Sequence, residues 1–153
     1  MIFDKLKNFV RRKSFHVTYA DAGSCNGCSI EVLATICPRY DIEQYGIFVH
    51  HPNPREADIL IITGCVTEQW KTKLKELYDK IPEPKVVVAV GSCACSGGIF
   101  DQEGKRVYPP IKNFIPVAAE VPGCPPRPSE ILDAILGVAP IVFKDYDKKE
   151  ANK

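Results

Sequence analysis

A chain of 153 residues with 45% hydrophobic and 25% charged residues has the make-up of one compact domain with a single core, not of a disordered segment. Its formal net charge of +1 provides no basic field to gather nucleic acid, so no nucleic-acid partner is expected. Seven cysteines are an odd set that disulfides alone cannot consume, and no apolar run nears the ~18–20 residues that cross a bilayer.

Residues 1–13 have the spacing of a short amphipathic helix. Ile2, Phe3, Leu6, Phe9 and Val10 share one face, with Lys5, Lys7, Arg11, Arg12 and Lys13 on or near the other. This arm, 1–14, suits packing on its own domain or docking into a partner subunit; five apolar residues make a weak membrane anchor. It lacks the central apolar stretch and small-residue cleavage site of a secretory signal, so the chain is expected in the cytoplasm. In that reducing setting cysteines serve as metal ligands or catalytic thiols more than as staples.

Strand, loop and helix then alternate. Residues 16–20 read as a strand, followed by a glycine-bearing loop and a helix over 29–37 that Pro38 helps to stop. Residues 45–49 are a second strand candidate, and the isoleucine-rich 58–62 a stronger third. A helix over 68–81 follows, with Trp70, Leu74, Leu77 and Tyr78 at core-facing spacing, and the proline turn at 82–84 ends it. The valine run at 85–90 has the pattern of a strand covered on both faces. Beyond it, 92–98 reads as a small-residue loop and 101–105 as polar. Residues 116–121 are a last strand, and 129–136 a last helix with Ser129 as N-cap. The charged stretch 144–153 reads as a frayed tail, which leaves 15–143 as the folded α/β domain. Alternating strands and helices predict an open, mostly parallel, doubly wound sheet. Sites in such sheets form beyond the carboxyl ends of the strands.

Those loops hold the cysteines. The first strand is followed by Gly23-Ser24-Cys25-Asn26-Gly27-Cys28-Ser29, and the valine strand by Gly91-Ser92-Cys93-Ala94-Cys95-Ser96-Gly97-Gly98. The last strand leads into Pro122-Gly123-Cys124-Pro125-Pro126-Arg127-Pro128. Cys25, Cys28, Cys93 and Cys124 thus reach one end of the predicted sheet, and four soft thiolates suit a [4Fe–4S] cluster. Glycines let the backbone and its N–H groups approach inorganic sulfide, and the helix starting near Cys28 aims its positive end at an anionic cluster. The Cys25/Cys28 spacing alone is shared with zinc sites and thiol oxidoreductases; the three loops together are the specific signal.

The remaining candidates have structural readings first. Cys37 is expected as a small core residue on the inner face of its helix, and Cys95 as loop packing. Cys65, in Gly64-Cys65-Val66, also ends a strand; it is the first substitute ligand, and more readily a neighbour that shapes the cluster's surroundings. His16, His50 and His51 read as structural. Glu31 reads as a charge at the helix N-terminus or a proton relay, and Arg127 as facing the cluster or a partner.

The set Ser24-Cys25-Asn26-Gly27-Cys28, Gly91-Ser92-Cys93 with Ser96-Gly97-Gly98, and Val121-Pro122-Gly123-Cys124-Pro125-Pro126-Arg127-Pro128 resembles the 20-kilodalton subunit of respiratory complex I. It resembles more closely the small subunit of energy-converting membrane-bound [NiFe] hydrogenases. The likeness runs from about Val17 to Gly137. It implies a flavodoxin-like fold, one proximal [4Fe–4S] cluster on Cys25, Cys28, Cys93 and Cys124, and an oxidoreductase role confined to electron transfer. The implied partners are a large catalytic [NiFe]-type subunit, a ferredoxin-like electron-transfer subunit and membrane-embedded subunits. Such an assembly lies peripherally on the cytoplasmic face of the membrane. Complex I versions typically set the first two ligand cysteines side by side; the Asn26-Gly27 spacer here points to the hydrogenase branch. Cys65 and Cys95 fall outside the family's ligand set. Alternatives at this point are a complex I-like quinone oxidoreductase subunit, a zinc-stapled binding module, and a flavin or nucleotide domain. The last lacks a Gly-x-Gly-x-x-Gly loop after its first strand.

Overall fold

The computed structural model describes residues 14–49, 53–100 and 110–151, the side chains beyond 142 excepted. The expected N-terminal helix over 1–13, and His50 and His51, lie outside the described residues. Five strands form one sheet: β1 (Phe15–Asp21), β2 (Ile47–Val49), β3 (Ile59–Thr63), β4 (Val86–Val90) and β5 (Ala119–Val121). All pair in parallel, in the order β2-β1-β3-β4-β5. That is the doubly wound, flavodoxin-like arrangement, with the strand order reversing between β1 and β3.

Side-chain alternation along the strands divides the core in two. Phe15 and Val17 of β1, Ile59 and Ile61 of β3 and Val86, Val88 and Val90 of β4 face α1 (Gly27–Ala34) and α4 (Pro128–Ala151). Ala20, Leu60, Ile62, Val87 and Ala89 face the other way, toward α2 (Glu68–Lys80) and the short α3 (Ser92–Ser96). Every residue of β3 and β4 is buried, as their unbroken apolar runs require. Burial of each large aliphatic side chain there contributes about 1.5–3 kcal/mol.

Several boundaries differ from the sequence expectation. α1 stops at Ala34, so Cys37 falls in the turn beyond it and is exposed rather than core. In α2, Leu74 is fully buried, whereas Trp70 lies at the rim, its ring near the Lys73 ammonium. Residues 92–96, expected as loop, close one helical turn that Gly97 ends in the left-handed region. α4 begins one residue before the expected Ser129 cap. Pro128 takes its first position, and the Glu130 carboxylate accepts the Arg127 backbone N–H at 3.1 Å. The same helix continues through Gly137 and Pro140 to Ala151, because Val138, Ala139 and Val142 remain buried against the sheet. Among the described residues no helix is long and apolar enough to cross a membrane.

Candidate metal centre

The register of the sheet builds the site. Asp21 pairs with Thr63, Thr63 with Val90, and Val90 with Val121, so four strands end on one line. Cys25, Cys65, Cys93 and Cys124 each follow within a few residues of that line. Neighbouring parallel strands are about 4.8 Å apart, so loops from β1 and β5 must lean inward to meet.

Close backbone contacts show how they lean. The loop after β1 crosses the end of β3, where a side chain at Gly64 would collide with the backbone of Gly23 and Ser24. It then brings Cys28 to the end of β4: a Cβ on Gly91 would lie 2.5 Å from Cys28 Sγ, and Gly91 has a φ of +96°. Both positions require glycine, in space and in backbone. From the other side, the loop after β5 is fastened to that after β4. Ser92 donates its N–H to the Gly123 carbonyl at 2.8 Å and its hydroxyl to the same oxygen at 3.1 Å. Gly91 likewise donates to the Val121 carbonyl at 2.8 Å. Gly27 faces Pro125, with room for 4.0 Å between an added Cβ and the ring.

The result is a concentration of thiols. Burial pushes the Cys28 thiol up to about 11, and the charges of Cys93, Cys25 and Cys124 push in the same direction. Cys93 is raised by burial, then by Cys65, Cys124 and Cys25. All four predicted ligands therefore lie within electrostatic reach of this locus, and Cys65 stands beside them. Cys25 and Cys124 are exposed, Cys93 is half-buried and Cys28 buried, so the group opens to the surface. Among the described residues no three of His, Cys, Asp and Glu are set as they would be around a single metal ion.

The other candidates separate clearly. Cys65 is 7% exposed and its S–H donates to the Gly23 carbonyl at 3.4 Å, which ties the end of β3 to the loop carrying Cys25. Cys95 turns into the opposite core layer, with its S–H toward the Ala89 carbonyl at 3.6 Å. His16 lies at the far end of β1, its ring 6.0 Å from that of Phe48. Glu31 stands past the first turn of α1, and the Arg127 side chain is exposed.

Tyr19, Asp21 and Thr63 belong to no motif of the sequence, yet with Ser24 and Ser29 they form a hydrogen-bonded group behind the Cys25–Cys28 loop. Burial tends to raise the Asp21 pKa. The N–H groups of Ser24 and Gly23 and the Ser29 hydroxyl outweigh it and hold the carboxyl below its ordinary value. The one signal in the sequence was Asp21 followed by Ala22-Gly23-Ser24, the pattern of an aspartate capping a turn two residues on.

Residues 25–138 match the family model described as NADH ubiquinone oxidoreductase, 20 Kd subunit. An uncharacterized protein of Methanocaldococcus jannaschii is 57% identical over 148 residues, covering 97% of this chain and 98% of that protein. A probable membrane-bound hydrogenase subunit, mbhJ, of Pyrococcus furiosus is 42% identical over 132 residues, 86% of this chain and 77% of its own length. Among solved structures, an archaeal membrane-bound sulfane sulfur reductase contains a chain that superposes with a TM-score of 0.74 at 34% identity. The match covers 92% of this chain and 76% of that one.

Proposed function

We propose a function from one premise: this chain belongs to the family of the 20 kDa subunit of NADH ubiquinone oxidoreductase, whose model matches it over residues 25–138. In our reading it carries one [4Fe–4S] cluster on Cys25, Cys28, Cys93 and Cys124. It passes electrons in a membrane-associated, energy-converting [NiFe] hydrogenase-type complex, as an oxidoreductase subunit whose catalysis proper lies in a large partner. A ferredoxin-like subunit and membrane-embedded subunits complete the assembly, with this chain on its cytoplasmic face. The likeness to a hydrogenase subunit and to a chain of a respiratory membrane complex supports that setting.

One observation carries the reading: four strands end in register, and the thiols that follow them are brought to one locus. The residues fit the group chemically. The donors are soft thiols. Cys25, Cys28, Cys93 and Cys124 would hold the cluster together as a set, which does not call for three of them around one ion. Gly91 and Gly98 let the backbone pass close to Cys28 Sγ and Cys93 Sγ, where a side chain would crowd the thiols. The cluster, when bound, supplies reversible one-electron chemistry. The chain's own part is to hold the thiols at fixed spacing, through the Ser92–Gly123 hydrogen bonds and the Cys65–Gly23 contact, and to keep Cys28 and Cys65 from water. Rigid loops suit electron transfer, in which no ligand should rearrange. Cys65, Glu31 and Arg127 belong to the surroundings of this site.

The test is Cys93→Ser in the native complex, with iron, acid-labile sulfide and electron paramagnetic resonance measured. Loss or conversion of the [4Fe–4S] signal is expected. An unchanged signal overturns the ligand assignment. The matching family description also favours a second reading, a complex I-like role beside a quinone site. The two separate on the co-purifying large subunit: hydrogen evolution and two cysteine pairs for nickel mark the hydrogenase branch.

A further inference from the structure

Behind the Cys25–Cys28 loop lies a polar group that ligation alone leaves without a task. Asp21, the last residue of β1, accepts the N–H of Gly23 at 2.9 Å and of Ser24 at 2.7 Å through Oδ1. Its Oδ2 accepts the Ser29 hydroxyl at 3.1 Å, with the Tyr19 hydroxyl 3.4 Å away. Tyr19 has one hydroxyl proton, and its shortest contact is to Ser29 Oγ at 2.6 Å. Counting protons therefore orients the chain. Thr63 donates to Tyr19 at 2.9 Å, Tyr19 to Ser29, and Ser29 to Asp21. The Ser24 hydroxyl accepts the Asn26 N–H at 2.9 Å, which leaves its proton for Ser29 Oγ, also at 2.9 Å. Every dipole in the network points toward one carboxylate, the arrangement that stabilises a charge.

The network is anchored on three elements, β1, β3 and α1, and it grips the loop immediately before Cys25 and the helix turn immediately after Cys28. It also reaches the thiol locus electrostatically, since the Asp21 charge is felt at Cys65, which adjoins Cys93 and Cys25. We propose that Asp21 is the positioning residue of the Cys25–Cys28 loop and a fixed negative charge that holds the midpoint potential of the cluster down. This rests on the cluster reading above. The sign follows from charge: reduction adds one electron to an already anionic group, and a nearby carboxylate opposes it.

The experiment uses the native complex with wild-type, Asp21→Asn, Asp21→Ala and Ser29→Ala chains. Iron and acid-labile sulfide are assayed, and the cluster is titrated by electron paramagnetic resonance against applied potential. Asparagine keeps an oxygen for the Gly23 and Ser24 N–H groups, and its amide N–H donates to Ser29 Oγ once the Ser29, Tyr19 and Thr63 hydroxyls turn to donate the other way, so the cluster should load fully and its midpoint should move positive. Ser29→Ala keeps the charge and loses one donor, and its midpoint should move by much less than that of Asp21→Asn. Asp21→Ala loses charge and anchor together, and its cluster content should fall several-fold. A fully loaded Asp21→Asn cluster with an unmoved or more negative midpoint overturns the charge assignment, as does a Ser29→Ala shift of the same size. Wild-type cluster content in Asp21→Ala overturns the positioning role. A wild-type complex that contains no four-iron cluster overturns the function proposed above instead.

Discussion

Cys28 is the candidate ligand whose chemistry the fold alters most. Its thiol is raised to about 11, against 9.0 for an ordinary one, by burial first and by the facing cysteines next. The thiolate is the nucleophile, so at neutral pH in the metal-free chain Cys28 should present a thiolate fraction roughly a hundredfold below an ordinary thiol's. Iodoacetamide is then expected to alkylate the exposed Cys25 and Cys124 first and Cys28 last, and raising the pH toward 11 should speed Cys28. Peptide mass spectrometry over time reads the order, and Cys28 modified as fast as Cys124 would contradict the geometry. The cysteines were legible because a thiol has few uses in a strand-end loop, and three such loops repeat it. Tyr19, Asp21 and Thr63 were not, because a polar residue at a strand end ordinarily meets solvent. What distinguishes them is the partners they share across the fold, 8 to 44 positions away in the chain.

Elements were legible in proportion to how much of their burial was continuous. β3 and β4, buried at every position, fall within one residue of expectation. Ends were harder, since Gly137 and Pro140 read locally as stop signals while tertiary packing overrides them. Both lie inside α4, and Val138, Ala139 and Val142 keep it seated on the sheet. A Cβ at Gly137 would meet nothing within 4 Å. Gly137→Ala should therefore stabilise the chain by about 0.5–1 kcal/mol, the helix-propensity difference, seen as a higher denaturant midpoint with unchanged slope. An equal or lower midpoint would mean that the helix bends at this residue in a way that needs glycine. The one turn of α3 was hidden for a different reason. Ser-Cys-Ala-Cys-Ser has no periodicity to read, and the turn closes because Ala94 and Cys95 have a core layer to enter.

At the scale of the molecule, the parallel sheet settles where chemistry is possible, and the surface around that edge suggests how the chain is used. Ile30 and Leu33, on α1 behind Cys28, are 62% and 54% exposed. Ile99 and Phe100, which follow the Gly98 that lies against Cys93, are 78% and 40% exposed. A single exposed aliphatic needs no account, but large apolar side chains flanking two of the thiol loops have the character of an interface. An electron carrier gains from such a rim. On the proposed function, covering it would bring the cluster near its redox partner and exclude water from between them, and burial of the apolar area would add to the affinity. Ile30→Glu combined with Ile99→Glu should weaken attachment to the complex by at least about tenfold, since each substitution forces a charge into a contact built for hydrocarbon. Neither residue belongs to the thiol set or to the Asp21 network, so the cluster should assemble with wild-type iron and sulfide. The quantity to follow is the share of the chain that sediments with membranes, with cluster content measured on the same fractions. A doubly charged variant that sediments like wild type would show that the partner approaches from elsewhere on the sheet, and the electron path would have to be redrawn from that side.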